Sequence, residues 1–323
     1  VTSQSPLQSL FGAYPAELFF AKHYGREPLH LQSPDKSARF GSLINWSELN
    51  QLLQLNSHWD DSRLRLVAGG RKIPAEHYCQ AHGAEEVDRR VWRPVPERVT
   101  AFVNSGATLI LNGVDGLVSA IGELAQALEQ ALAVRVQSNL YLSKPGNQGL
   151  ALHFDPHDVL ALQIAGSKRW RLYEKRLAPA LPGVVTESDL RAIAGPVSSE
   201  FSLNAGDLLY IPAGLIHEAQ ADREVSLHLT LGLKQVCQMD LASLLMQQLA
   251  KTPEATMPLY DVHEGQAAIA RQVAKLVGAF VSVASSPTTT QQLESAIAAN
   301  RRTRGRYPIS SSTEQTYRRS RGA

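Results

Sequence analysis

The sequence predicts an α+β protein: a compact antiparallel barrel or double sheet in the middle, a mixed lead-in before it and helices after it. Three observations carry this reading. Between Gln137 and Leu233 the apolar residues recur with a period of 2, in short runs separated by turn-forming residues. On either side of that stretch the apolar spacing is helical. The chain has 323 residues, 44% hydrophobic and 19% charged, enough for a buried core and about two domains.

Taken in order, residues 11–32 read as a helix running into the extended segment Pro28-Leu29-His30-Leu31, a lead-in to a sheet. Asp115 precedes Leu117, Ile121, Leu124, Leu128 and Leu132, which form one stripe of a helix, with Asp115 as its candidate N-cap. Strand-like runs follow over 138–142, 158–164, 169–173, 207–211 and 225–233. Between them, Pro145-Gly146-Asn147, Gly166-Ser167, Asn204-Ala205-Gly206 and Pro212-Ala213-Gly214 supply turns. Beyond Gln235 the helical period returns: 241–249, then Ile269, Val273, Leu276, Val277 and Phe280, then 291–299. Ser285-Ser286-Pro287-Thr288 reads as a helix connection.

Composition narrows the function. Collagen-like, coiled-coil and wholly disordered chains are excluded. The longest apolar runs, 159–165 and 279–283, fall short of the roughly 18 residues of a membrane span, so no membrane segment is expected. No basic stretch followed by an apolar one opens the chain, and cytoplasm is the expected location. Cys79 and Cys237 lack metal-ligand spacing and suit a reducing compartment. The net charge of +2 is unevenly spread: seven arginines against Glu314 give residues 301–323 a charge of +6, leaving −4 on the rest. Such a tail suits contact with a polyanion such as RNA, or is a solvated end.

The chemistry concentrates in His153-Phe154-Asp155 and in His217, 62 residues after the aspartate. In an extended chain residues two apart share a face, so His153 and Asp155 can serve one centre that a distant histidine completes. Two imidazoles and a carboxylate on one face of an octahedral ion leave three positions open, as in non-haem Fe(II) oxygenases. A structural zinc site would close its shell, usually with thiolates. An H-x-D pair alone is a weak signal, and the surroundings strengthen it.

In Gly166-Ser167-Lys168-Arg169-Trp170-Arg171-Leu172-Tyr173, alternation puts Lys168, Trp170 and Leu172 on one face and Arg169 and Arg171 on the other. An inward ammonium requires an anion, and a dicarboxylate beside the metal would supply it; a lysine extending its stem to solvent would read the same. Asn139 and Tyr141 share a strand face and could reach the same ligand, or be core polar groups bonded to backbone. Ser226, His228 and Thr230 alternate with Leu227, Leu229 and Leu231 as on a strand lining a polar cavity, although a half-exposed strand has the same pattern. His157 is read as a rim or supporting residue, and the other histidines as structural or exposed. Trp46, Trp59, Trp92 and Trp170 read as packing residues, and Arg89, Arg90, Arg93 and Arg98 as surface.

The stretch from Ser138 to Leu233 resembles the JmjC oxygenases, in particular the cupin-like ribosomal oxygenase branch. The strings that carry the resemblance include Asn139-Leu140-Tyr141-Leu142, Leu150-Ala151-Leu152-His153-Phe154-Asp155, Lys168-Arg169-Trp170-Arg171-Leu172-Tyr173, Gly206-Asp207-Leu208-Leu209-Tyr210-Ile211-Pro212 and Ser226-Leu227-His228-Leu229-Thr230. The resemblance implies a double-stranded β-helix (jelly-roll, cupin) core with flanking helices. It implies Fe(II) on His153, Asp155 and His217, with 2-oxoglutarate and O2 as co-substrates. Lys168 would bind the distal carboxylate of 2-oxoglutarate, and Asn139, Tyr141 and His228 would line its site. The reaction implied is hydroxylation of a histidine or arginine of a ribosomal protein. Lysine demethylation, oxygenation of RNA or a small molecule, and a silent binding module are the alternatives. Lys168 is closer to the histidine-hydroxylating relatives, whereas Gly232 stands where those carry serine. By the same resemblance, 1–235 is the catalytic domain with its lead-in and 236–300 a helical dimerisation domain. Residues 301–323 are then a basic tail, with the family's winged helix absent or truncated. The apolar stripes after Leu241 suit a homodimer seam or an intrachain bundle alike.

Overall fold

The computed structural model describes residues 6–34, 39–82, 91–145, 149–178, 186–222, 224–299 and 304. Within these the strands are, in chain order, β1 (Leu29–Leu31), β2 (Leu64–Ala68), β3 (Arg71–Lys72), β4 (Cys79–His82), β5 (Val91–Pro94), β6 (Thr108–Asn112) and β7 (Arg135–Ser143). They continue with β8 (Asp158–Ala165), β9 (Ser167–Arg176), β10 (Val197–Asn204), β11 (Leu208–Ile211), β12 (Leu215–Ala221) and β13 (Ser226–Lys234). A larger sheet has the order β1-β11-β8-β13-β7-β6-β2-β3 and a smaller one the order β10-β9-β12, while β4 and β5 pair apart. The expected double sheet is present, and the pairings of both sheets are antiparallel. β10 and β12 were not expected, because their sequences, VSSEFSLN and LIHEAQA, lack a clean apolar alternation.

The chain crosses between β7, β8 and β13 so that β13 lies between the other two. Leu227, Leu229, Leu231 and Leu233 of β13 turn to one side and are fully buried in the main core with Leu140, Leu160 and Leu162. Each such leucine contributes about 1.5–3 kcal/mol through burial. The opposite face of the same strands meets the smaller sheet, where Val159, Ala161, Trp170, Leu172 and Leu209 form a second cluster. The cavity opens on this inner side.

Two expectations in the first part of the chain are corrected. The extended end of the 11–32 segment is present as β1, but the part before it is not one helix: Pro6–Phe11 and Ala16–Leu18 are separate short helices, followed by a π-turn over Phe19–His23. Gly12 at φ +63° and Pro15 interrupt the run. Asp115 is not an N-cap. It lies in a 3-10 turn, Val114–Gly116, and the helix starts at Ser119 with no side-chain cap. Its buried carboxylate accepts instead from Ser138 Oγ and from Arg304, a tertiary use that a local capping rule misses.

After β13 come the helices Gln238–Leu249, Gln266–Ala284 and Pro287–Ala299, the last two joined at the expected Ser285-Ser286-Pro287 connection. Gln266–Ala284 carries Ile269, Val273, Leu276, Val277 and Val281, each more than 40% exposed. Contrary to the expectation from apolar run length, this 19-residue helix is long and apolar enough to cross a membrane by length and composition. Arg271 and Lys275 break the run and hid it.

Of the expected surface arginines, Arg93 donates to the carbonyls of Ser57 and Trp59 and Arg98 to that of Cys79; Arg89 and Arg90 lie outside the described residues. The basic tail also lies outside them apart from Arg304. That side chain is no solvated charge: it pairs with the buried carboxylates of Asp115 and Glu129.

Candidate metal centre and cavity

Leu152 and Ile216 are buried together in a small apolar cluster with Leu190 and Ala194. Alternation then turns their neighbours His153 and His217 the other way, into the space between the sheets. The two histidines form an isolated antiparallel bridge, with backbone N–H to carbonyl distances of 3.0 and 2.8 Å. Their rings are 4.3 Å apart, and Asp155 Oδ2 is 3.6 Å from His217 Nε2. The available ligand atoms of His153, Asp155 and His217 all lie within 4.8 Å of one another, as one ion requires.

Both imidazoles are held in the same tautomer. His153 Nδ1 faces the carbonyl of Ala151 at 2.7 Å and His217 Nδ1 that of Leu215 at 2.8 Å. A carbonyl only accepts, so each Nδ1 carries the proton and each Nε2 keeps its lone pair for a metal. Burial, reinforced by His153, pushes the His217 imidazole down to about 4 against the pull of Asp155, so it is neutral at pH 7. No cysteine contributes: Cys79 is buried and Cys237 exposed, both as free thiols.

The triad lies in the wall of a cavity, and every expected ligand-binding residue lines it: Lys168, Asn139, Tyr141 and His228. Lys168 points inward, 3% exposed, while Arg169 and Arg171 on the other face pair with Asp222 and Glu200. The Lys168 Nζ donates to Ser143 Oγ at 3.3 Å and lies 5.8 Å from the centre of the Tyr141 ring. Among the described residues it has no carboxylate partner, and burial pushes its amine down to about 7. His228 stacks on Tyr141 at 4.7 Å and is held well below the usual histidine range by burial and by Lys168. Burial and Asp155 push the Tyr141 phenol up to about 12.

Three buried polar atoms in the cavity wall, Asn139 Oδ1, Trp170 Nε1 and His228 Nδ1, have no hydrogen-bond partner among the described residues. Protein interiors seldom leave such groups bare, and together with the Lys168 amine, which has no carboxylate partner among the described residues, they fit a bound polar anion. The two-imidazole, one-carboxylate donor set fits Fe(II). Trp170 belongs to the site, stacked 6.0 Å from His217, not to packing alone. The alternation that placed it beside Lys168 was the signal for this. Gln137 and His157 also line the cavity. Trp46 is 44% exposed and packs little, whereas Trp59 is buried as expected.

An antiparallel double sheet enclosing a His-Asp-His cluster and an inward lysine is a cupin-like architecture. Residues 118–241 match the JmjC domain family, and the relatives the chain resembles include ribosomal oxygenases. Ribosomal oxygenase 1 of Gallus gallus is 30% identical over 216 residues, covering 66% of this chain and 34% of its own length. Ribosomal oxygenase 2 of Rattus norvegicus is 29% identical over 71% of this chain and 47% of its own. The bifunctional lysine-specific demethylase and histidyl-hydroxylase NO66 of Drosophila simulans is 28% identical over 67% of this chain and 25% of its own. The chain thus spans about a quarter to a half of these curated relatives. The Escherichia coli ribosomal oxygenase YcfD, solved with cobalt and 2-oxoglutarate, shares the fold at a TM-score of 0.56 and 18% identity, covering 92% of this chain and 74% of that one.

Proposed function

We propose that this chain is an Fe(II)- and 2-oxoglutarate-dependent oxygenase that hydroxylates a histidine or arginine side chain of a ribosomal protein. The observation that carries this is one cavity holding His153, Asp155 and His217 together with the buried, anion-free Lys168. The named activities of the relatives support the substrate class. When bound, the iron with 2-oxoglutarate and O2 supplies oxidation of an unactivated C–H bond, with succinate and CO2 as co-products. The chain's own residues do the rest. His153, Asp155 and His217 hold the ion by one face, and the carbonyls of Ala151 and Leu215 keep both imidazoles in the ligating tautomer. Lys168 grips the far carboxylate of the co-substrate, and Asn139, Tyr141 and His228 line its site. Leu150, Val159 and Ala219 limit water in the cavity.

In this reading residues 1–235 form the catalytic unit, 236–300 the helical dimerisation unit and 301–323 a basic tail that contacts RNA. The exposed apolar face of Gln266–Ala284 supports a homodimer, and the two free thiols support a cytoplasmic setting. Lysine demethylation is the second reading, favoured by the name of the NO66 relatives. Mass spectrometry of ribosomal proteins from source cells with and without this protein separates the two. Hydroxylation adds one oxygen to a ribosomal protein, with succinate release lost in His153→Ala and Asp155→Ala. Loss of methyl mass with formaldehyde release would reject it.

A further inference from the structure

We propose that His157 is the substrate-reading residue of this cavity, its Nε2 accepting a hydrogen bond from an N–H of the side chain to be oxidised. This rests on the oxygenase reading above. The inward residues of β7 and β13 stand in rows fixed by their register: Tyr141 opposite His228, Asn139 opposite Thr230, Gln137 opposite Gly232. Lys168 lies by the Tyr141 row, so the co-substrate's far carboxylate is anchored at that end. The Gly232 row is at the other end, which is left for substrate.

That end is shaped by one exchange. A Cβ on Gly232 would lie 2.7 Å from His157 Cε1, 3.1 Å from Nε2 and 3.2 Å from Nδ1, so the leading edge of the imidazole rests where a side chain at 232 would begin. His157 takes over the wall that the glycine vacates, and even a serine at 232 would push it aside. Its orientation also gives it a chemical preference. Nδ1 faces the Asp158 carbonyl at 3.2 Å and is therefore the protonated nitrogen. In the neutral ring Nε2 then keeps its lone pair, and it has no hydrogen-bond partner among the described residues. 2-Oxoglutarate carries no donor that could use it. An imidazole, guanidinium or amide N–H does, and an incoming carboxylate or phosphate would face both this lone pair and Asp155.

The test uses full-length protein loaded with zinc(II), which accepts the same donor types without turnover, and 2-oxoglutarate. The probes are capped histidine amide and capped arginine amide, followed by ligand-observed NMR. One of them should saturate the parent, with affinity roughly tenfold lower in His157→Val and in Gly232→Ser, and partly restored in His157→Gln, which keeps an acceptor. Zinc content and 2-oxoglutarate affinity should stay within about twofold of the parent, a result that a merely structural role would not give. The proposal is overturned if neither probe binds the parent, if His157→Val binds the probe as the parent does, or if 2-oxoglutarate affinity falls in parallel. Oxygen mass on ribosomal proteins is read separately: its absence alongside His157-dependent probe binding rejects the ribosomal target and keeps the role of His157.

Discussion

The backbone N–H of Gly214 donates to the carbonyl of Asp155 at 2.8 Å, so the turn leading into the second histidine also holds the acidic ligand in place. Gly214 has φ +81°, and a Cβ there would lie 1.9 Å from the Leu177 carbonyl oxygen. Gly214→Ala must therefore shift the turn. We expect its metal affinity, titrated with cobalt(II), to fall at least roughly tenfold while the far-ultraviolet circular dichroism is kept. Unchanged cobalt binding would show that the turn does not govern the ligand.

Lys168 makes co-substrate binding depend on pH. Its amine is shifted from 10.5 to about 7 by burial, so in the free protein it is largely neutral above pH 7. An anion needs the charged form. Affinity for 2-oxoglutarate should hold below pH 7 and fall by up to about tenfold per pH unit above it, with a proton taken up on binding at pH 8. Folding runs the other way: between pH 7 and 10.5 the unfolded chain binds the extra proton, so this group's contribution to stability rises with pH. Calorimetry in two buffers of different ionisation enthalpy measures the uptake. Lys168→Met should abolish it.

Arg304 reaches Glu129 through Nε at 2.9 Å and Nη2 at 3.0 Å, and it also pairs with Asp115. Both carboxylates are buried, so Arg304→Met removes the cation they share and leaves them their neutral hydrogen-bond donors only, at a cost of about 3 kcal/mol at pH 7. Hydrogen bonds from Ser138 and the Arg304 charge hold the Asp115 carboxyl below its ordinary value despite burial. That stabilisation is present above the unfolded-state value and lost as pH falls through the depressed one. The gap between parent and variant in thermal unfolding should therefore narrow on acidification. Equal melting at pH 7 would remove Arg304 from the fold's support.

The apolar side of Gln266–Ala284 should be covered by a second copy in solution. Val277→Glu combined with Val281→Glu places charge on two of its exposed positions and should give a monomer by light scattering, while the parent gives twice the chain mass. A monomeric parent at micromolar concentration would overturn the dimer.

Much of the half that carries the cavity was legible in the sequence, for a physical reason. In a sheet the face of a residue follows from its parity, so His153 with Asp155, Lys168 with Trp170, and Asn139 with Tyr141 could be assigned to shared faces before any contact was known. Contacts made between backbone and side chain across long separations leave no such trace. The Ala151 and Leu215 carbonyls that orient the ligands, the Gly214 grip on Asp155, and the fit of His157 over Gly232 all depend on where turns bring the main chain. Asp115 shows the same limit from the other side. Its position suggested a helix cap, and a serine 23 residues on together with Arg304 captured it instead.

The position of β13 between β7 and β8 has a bearing on biosynthesis. Residues 226–234 are made after all three metal donors, yet without them β7 and β8 share no neighbour and the wall bearing His228 and Thr230 does not exist. A nascent chain emerging from its own ribosome thus displays a complete donor set before it owns a chamber to govern it. Translation halted between residues 217 and 226 yields a polypeptide that carries His153, Asp155 and His217 but lacks the strand that completes the chamber.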